Sequence, residues 1–339
     1  MSASGLPFDD IRTLCTMLPP PDSEAMEMVR SRNTMLAKPP GGLGRLEDIA
    51  VWLAGWQGNG RPAVTRPVVV VFAGNHGVTK HGVSACSQNL TAEAIANLSA
   101  GGGAVNQVCA TFDIGLKVFE LALPVPTADI TIAAAMEEKD CTATMAFGME
   151  ALAGGTDLIG LGDIGVGGTT AAAAVLHALF GGAAADWIST GYGADDQTQA
   201  HKRAAVEAAV AHHRSELRDP LEVLRRLGGR EIAAMTGAIL AARLQRIPVV
   251  LDGIVAAAAA AVLHALDKDA IAHCLAGHVT DAAHERALAR LGLQPVLNLG
   301  LAMGEGTGAA LAMGTIRAAI ACHVDMATAT EAGVSGKLN

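Results

Sequence analysis

A chain of 339 residues is long enough to bury one large α/β core, or two modest ones, and still carry a cleft. Hydrophobic residues make up 51% of it and aromatics only 3%, so the core must be built from Ala, Val, Leu, Ile and Met. With a formal net charge of -9 and no block of Lys or Arg longer than two, the chain has no basic track for polymeric nucleic acid.

The opening MSASGLPFDDIRTL has neither a basic start nor an apolar segment, so no export signal is expected there. Cys15, Cys86, Cys109, Cys141, Cys274 and Cys322 are scattered without a CxxC pair. That suits reduced thiols better than a disulfide framework or a structural zinc site, and the expected location is cytoplasmic. Residues 1–60 read as helical segments punctuated by the turn cluster Lys38-Pro39-Pro40-Gly41-Gly42-Leu43-Gly44.

Four apolar runs, Pro67 to Phe72, Asp157 to Leu161, Pro248 to Leu251 and Pro295 to Leu299, are each followed by a Gly-rich loop and an Ala-rich helical pattern. This βα order predicts a parallel sheet covered on both faces, with ligands gathered beyond the carboxyl ends of its strands. The apolar run Ile254 to Leu263 is half the roughly 20 residues of a membrane span and reads as a buried helix. After the helix containing Ile316 to Val324 the chain turns small and polar. The organisation expected is one large α/β unit, residues 61–322, with a small helical unit from both ends, residues 1–60 plus 323–339.

Three loops carry candidate chemistry. The first, Phe72-Ala-Gly-Asn-His-Gly-Val78 and onward, crowds Asn75, His76, Ser84 and Gln88 near one strand end. A lone loop histidine is more often a hydrogen-bonding scaffold residue than a ligand, and the spacings His76 to His81 and His273, His278, His284 match no zinc pattern. The second, Asp157 to Thr170, places glycines where a backbone can approach a ligand and Thr169 and Thr170 where a helix begins, a phosphate-binding arrangement. Its competing reading is a strand-to-helix turn with Thr as N-cap. The third, Gly300 to Gly308, flanks Glu305 with glycines and surrounds it with Leu299, Leu301 and Met303. Such surroundings raise a carboxylate's pKa and suit a general base, although an acid near a helix start is also favoured by the macrodipole alone.

KPPGGLGRLE (Lys38 to Glu47), FAGNHGV (Phe72 to Val78), GDIGVGGTT (Gly162 to Thr170), MTG (Met235 to Gly237), PVVLDG (Pro248 to Gly253) and GEGTGAALAM (Gly304 to Met313) share order and spacing with one family. The chain resembles the nicotinate-nucleotide:dimethylbenzimidazole phosphoribosyltransferases of cobalamin (vitamin B12) biosynthesis, over residues 20–325, and especially their alphaproteobacterial branch. The resemblance implies a Rossmann-like α/β domain, a small helical domain from both termini, and a homodimer. It implies transfer of ribose 5-phosphate from nicotinate mononucleotide to 5,6-dimethylbenzimidazole, giving α-ribazole 5'-phosphate and nicotinate with inversion at C1'. Glu305 falls on the family's general base and Lys202 on its lysine in the polar helix.

The nicotinate ring is already a cationic leaving group, so the step needs no acid and, with no pyrophosphate leaving, no magnesium. No metal and no cofactor are therefore expected. The incoming benzimidazole must lose its ring proton, which a desolvated Glu305 can accept. Asp163, Gly165, Gly167, Gly168, Thr169, Thr170 and Lys202 are the expected contacts to the mononucleotide, with Ser84, Gln88, Met303 and Gly304 around the base. Two positions depart from the family's Gly-Glu-Met-Gly-Ile-Gly-Asn-Thr-Thr: Asp163 stands for the Glu and Gly168 for the Asn, so Asp163 reads either as a second carboxylate near the reacting centre with shortened reach or as a structural turn residue. Gly42 likewise stands for a usual Ser.

A different class, a non-catalytic nucleotide-binding or sensor homologue, would bind the mononucleotide without releasing nicotinate. A dinucleotide-dependent oxidoreductase is disfavoured, because no GxGxxG with a later acidic partner is present. Asp195-Asp196 is followed by Gln-Thr-Gln and does not match the acidic pair of transferases that use phosphoribosyl pyrophosphate.

Overall fold

The computed structural model describes residues 7–190 and 193–334. Residues 1–6 and 335–339 of the expected helical unit lie outside the described residues. In chain order come α1 (Pro7–Cys15), α2 (Ser23–Met35), α3 (Arg45–Gln57), β1 (Pro67–Ala73), α4 (Asn89–Ser99), α5 (Ala104–Thr111), β2 (Gly115–Glu120), α6 (Glu138–Glu150), β3 (Leu158–Ile164) and α7 (Gly168–Phe180). There follow α8 (Asp196–His213), α9 (Pro220–Leu227), α10 (Arg230–Leu244), β4 (Val249–Asp252), α11 (Gly253–Leu266), β5 (Cys274–His278), α12 (Ala282–Leu291), β6 (Pro295–Leu297) and α13 (Thr307–Asp325).

The strands form one sheet in the order β2-β1-β3-β4-β5-β6, and every pair is parallel. The four strands expected from apolar runs are β1, β3, β4 and β6. The two not anticipated have physical reasons for weak patterns. β2 is an edge strand carrying Lys117, and no residue in it is fully buried. β5, Cys-Leu-Ala-Gly-His, contains few residues of high strand propensity.

Side chains alternate across the sheet as the pleat requires. Val68, Val70, Phe72, Ile159 and Leu161 meet α6, α7, α10 and α11 on one face. Val69, Val71, Ala73 and Val250 meet α3, α5 and α13 on the other. In α11 the whole stretch from Gly253 to Leu263 is buried, as its composition predicts. Among the described residues α13 is long and apolar enough to cross a membrane, but Ala309, Ala310, Ala312, Met313 and Ile316 lie in the core against the sheet.

The chain ends meet. Leu36 pairs with Thr328 in an antiparallel bridge, and Arg32 donates to the carbonyls of His323, Val324 and Met326. α2 and α3 also share the second core cluster with the sheet, so they are anchored to it by apolar packing.

The MTG segment has a packing role. α6 and α10 touch backbone to backbone: a Cβ on Gly237 would lie 1.9 Å from the Met145 carbonyl oxygen, and one on Gly148 would lie 1.9 Å from that of Ala234. Neither helix can yield without moving its own backbone. Gly237→Ala should therefore lower unfolding free energy by about 3 kcal/mol, at the upper end of overpacking costs. Denaturant titration checks this; a loss below about 1 kcal/mol would mean the helices separate freely.

Candidate functional site

β1 connects to β2 on one side while β3 adds on the other, so the chain reverses its winding between β1 and β3. Loops leaving the carboxyl ends of such neighbours diverge and open a crevice. A cavity of about 250 Å³ lies there, lined by Ser84 and Cys86 after β1, Asp163 to Gly167 and Thr169 at and beyond the end of β3, Lys202 of α8, and Met303 to Glu305 before α13. A larger cavity of about 680 Å³ lies elsewhere, between α2 and α3 over Trp52 and Trp56. Lys38 is there, its Nζ 2.9 Å from Glu47 Oε1, and the Leu43 amide donates to the same oxygen. The KPPGGLGRLE segment is thus a turn held by Glu47 that contributes no residue to the crevice lining, and we take the smaller, chemically equipped cavity as the site.

Glu305 arrives through close backbone approach. A Cβ on Gly162 of β3 would lie 2.3 Å from the Gly306 nitrogen, and one on Gly277 of β5 would lie 2.9 Å from Ala309 Cα. These bare positions let the first turn of α13 settle onto the strands. Asp252, at the end of β4 and only 3% exposed, receives the Gly308 amide at 3.2 Å, with the Gly306 and Ala309 amides also turned to it. His278 accepts from the Leu299 amide at 2.8 Å and fixes the approach to the loop. Burial holds that imidazole below its ordinary pKa, which suits an acceptor.

The result is a non-glycine residue, Glu305, held at φ 60° between Gly304 and Gly306, both also left-handed. Glu305 is 8% exposed, and burial raises its pKa above the ordinary carboxylate value. A base with few competing hydrogen bonds and a raised pKa is suited to take a proton near neutrality.

In the same lining, Lys202 Nζ donates to Thr169 Oγ1 and to the Ser189 carbonyl, both at 3.0 Å. Burial pushes Lys202 down to about 8, opposed by the nearby Asp281. Asp281 caps α12 by accepting from the His284 amide and accepts from Ser189 Oγ at 2.5 Å. Lysine, threonine and a helix N-terminus together make an anion seat.

The structure brings Glu305, Gly304, Met303, Asp163, Gly165, Gly167, Thr169, Lys202 and Ser84 into the lining of one cavity. Gly168, Thr170 and Gln88 stand behind it. The Gly168 and Thr170 amides are used within the turn, donating to Gly165 and Gly167 carbonyls at 3.1 and 3.0 Å. Gln88 donates to the His76 carbonyl and to Thr79 Oγ1, both at 2.7 Å, so it braces the loop after β1. Asn75 and Thr91 act similarly: Thr91 Oγ1 donates to Asn75 Oδ1 at 2.8 Å and accepts from the Val166 amide at 3.3 Å.

Sequence reasoning missed Asp252, Asp281 and Glu231. Asp252 sits in the quoted PVVLDG segment, where an acid ending an apolar strand was the available signal. Glu231 follows Gly228-Gly229 in the first turn of α10, where the helix macrodipole alone favours an acid, so its local pattern does not mark it as a site residue.

An α/β protein whose switch-point crevice combines an anion seat with a buried carboxylate belongs to the class that handles phosphorylated nucleotides or sugars. The chain matches the Phosphoribosyltransferase family over residues 18–334. It is 58% identical over 338 residues to the nicotinate-nucleotide–dimethylbenzimidazole phosphoribosyltransferase of Rhizobium etli, covering 99% of this chain and 100% of that one. The same identity, over 339 residues and all of both chains, relates it to the Sinorhizobium medicae protein of that name. The crystal structure of CobT from Thermus thermophilus superposes with a TM-score of 0.86 at 37% identity, covering 92% of this chain and 99% of that one. The chain therefore belongs to the nicotinate-nucleotide–dimethylbenzimidazole phosphoribosyltransferase family.

The left-handed Glu305 backbone costs of order 1–3 kcal/mol relative to glycine. Glu305→Gly should be at least as stable as the parent in thermal and denaturant unfolding. A clear loss of stability would mean that the carboxylate itself contributes to folding.

Proposed function

We propose that the protein transfers the ribose 5-phosphate of nicotinate mononucleotide to 5,6-dimethylbenzimidazole, releasing nicotinate and forming α-ribazole 5'-phosphate. The observation that carries this reading is the presence of Glu305 and the hydrogen-bonded Lys202–Thr169 pair in the lining of one cavity at the β1/β3 switch. Family membership at 58% identity along the whole chain supports the same reaction.

In this reading the phosphate rests against Lys202 and Thr169 at the start of α7. That anchors C1' between a departing and an arriving ring. The C1'–N bond to the pyridinium breaks with its electron pair returning to nicotinate, while a benzimidazole nitrogen attacks C1' from the opposite face. The proton on the other benzimidazole nitrogen passes to Glu305. Met303 and Ser84 line the same cavity and supply soft and polar contact for the base. A homodimer, a cytoplasmic location and a small helical unit from both chain ends belong to the same proposal. The free cysteines and the Leu36–Thr328 bridge are consistent with the last two.

Chromatography of purified protein with nicotinate mononucleotide and dimethylbenzimidazole tests the reaction: nicotinate and α-ribazole phosphate should appear in equal amounts. Nucleotide binding without product would instead favour a sensor. Glu305→Gln should lower kcat by about 100-fold or more with little change in mononucleotide binding. Unchanged turnover would remove Glu305 from the mechanism. Because Lys202 is cationic only below about 8, kcat/KM for the mononucleotide should fall as pH rises through that value. Lys202→Met should be weak at all pH and show no such limb.

A further inference from the structure

Behind the Gly-rich loop lies a second set of ionisable groups that the proton transfer to Glu305 does not use. His76 Nε2 is 2.9 Å from Glu231 Oε1, and their side chains are 1% and 0% exposed. Backbone closes on this pair from two sides: a Cβ on Gly229 would lie 2.3 Å from His76 Cε1 and 2.5 Å from Glu231 Oε1, and one on Gly74 would lie 2.6 Å from Glu231 Oε2. Asp163 adjoins it, half-buried in the cavity wall. A Cβ on Gly168 would sit 3.5 Å from both Glu231 Oε1 and His76 Nε2, and 3.7 Å from Asp163 Oδ2, so the three side chains surround one point.

The groups facing Asp163 are mostly acids. Glu231 comes from α10, Asp252 from β4 and Glu305 from the turn before α13. The imidazole of His76 is turned to Glu231, and Lys202 of α8 is held by Thr169 and Ser189. Asp252 accepts backbone amides, which favour its charged form against the burial that raises its pKa to about 6. Among the described residues no hydrogen-bond donor reaches the Asp163 carboxyl, whereas a proton on it removes the repulsion from three neighbours. Burial first, then those neighbours, raise its pKa well above the ordinary value.

We propose that Asp163 meets the cavity as the protonated acid, a hydrogen-bond donor to an anionic oxygen of the mononucleotide, and that Glu231, facing His76, is the positioning residue that keeps the proton there. An ionised Asp163 would repel an anionic ligand beside the Lys202 seat; the neutral acid adds a donor to it.

The ligand in this proposal rests on the transferase reading, but the proton does not. Infrared difference spectra of the full-length protein against Asp163→Asn at neutral pH should show a protonated carboxylic-acid C=O band assigned to Asp163. Glu231→Gln should move the pH at which that band is lost downward and raise KM for nicotinate mononucleotide about tenfold at pH 8, with kcat changed less. Carboxylate bands in the wild-type difference spectrum would overturn the proposal without any variant of Glu231. An acid band lost at the same pH in Glu231→Gln would remove Glu231 from the role. If the wild type released no nicotinate, the transferase reading would fail while the spectrum still decided the proton.

Discussion

The site depends on how closely the first turn of α13 lies on the sheet. Gly162 and Gly277 offer no side chain where that turn crosses β3 and β5, and Asp252 accepts its leading amides. A helix N-terminus placed over strand ends by backbone contact has little freedom to shift, because any displacement opens a void or strips a buried carboxylate of its donors. Glu305 inherits that rigidity. Its left-handed backbone is the local cost, offset by packing elsewhere, which is the usual signature of strain kept for a purpose.

The same docking determines the electrostatics. Four acidic side chains, Asp163, Glu231, Asp252 and Glu305, converge beneath the crevice, and each is handled differently. Asp252 accepts backbone amides; Glu231 lies 2.9 Å from the His76 imidazole although neither of its oxygens makes a hydrogen bond among the described residues; Asp163 faces the other three; and Glu305 meets no donor among the described residues that would blunt it as a proposed base. Lys202 lines the same cavity, itself desolvated and lowered to about 8. A ligand carrying both phosphate and positive charge matches that polarity, with its anionic end toward Lys202 and its cationic ring toward the acids.

The histidines illustrate how burial assigns roles. His284 is fully buried and pushed down to about 4, and it accepts from the Thr280 amide. His278 accepts from the amides leading to Glu305. Both are neutral acceptors that shape loops, so an Ala-rich chain with few aromatics uses imidazoles as its rigid internal braces.

Sequence alone determined the parallel α/β class, because strands buried on both faces must be continuous apolar runs and β1, β3 and β4 are such runs. It also determined the Gly-rich loops, because only glycine permits close backbone approach, and it placed Glu305 and Thr169 at helix starts. It did not mark β2, whose edge position leaves it half-polar, or Glu231, whose meaning lies in a contact with His76 from a distant element. Tertiary structure alone decided that Gln88, Gly168 and Thr170 brace the wall while Ser84 and Met303 line it, because local pattern fixes backbone conformation but not which side chains converge. It likewise decided that MTG serves helix packing: whether a glycine meets a ligand or another helix depends on what crosses it, and that is settled only when the layers come together.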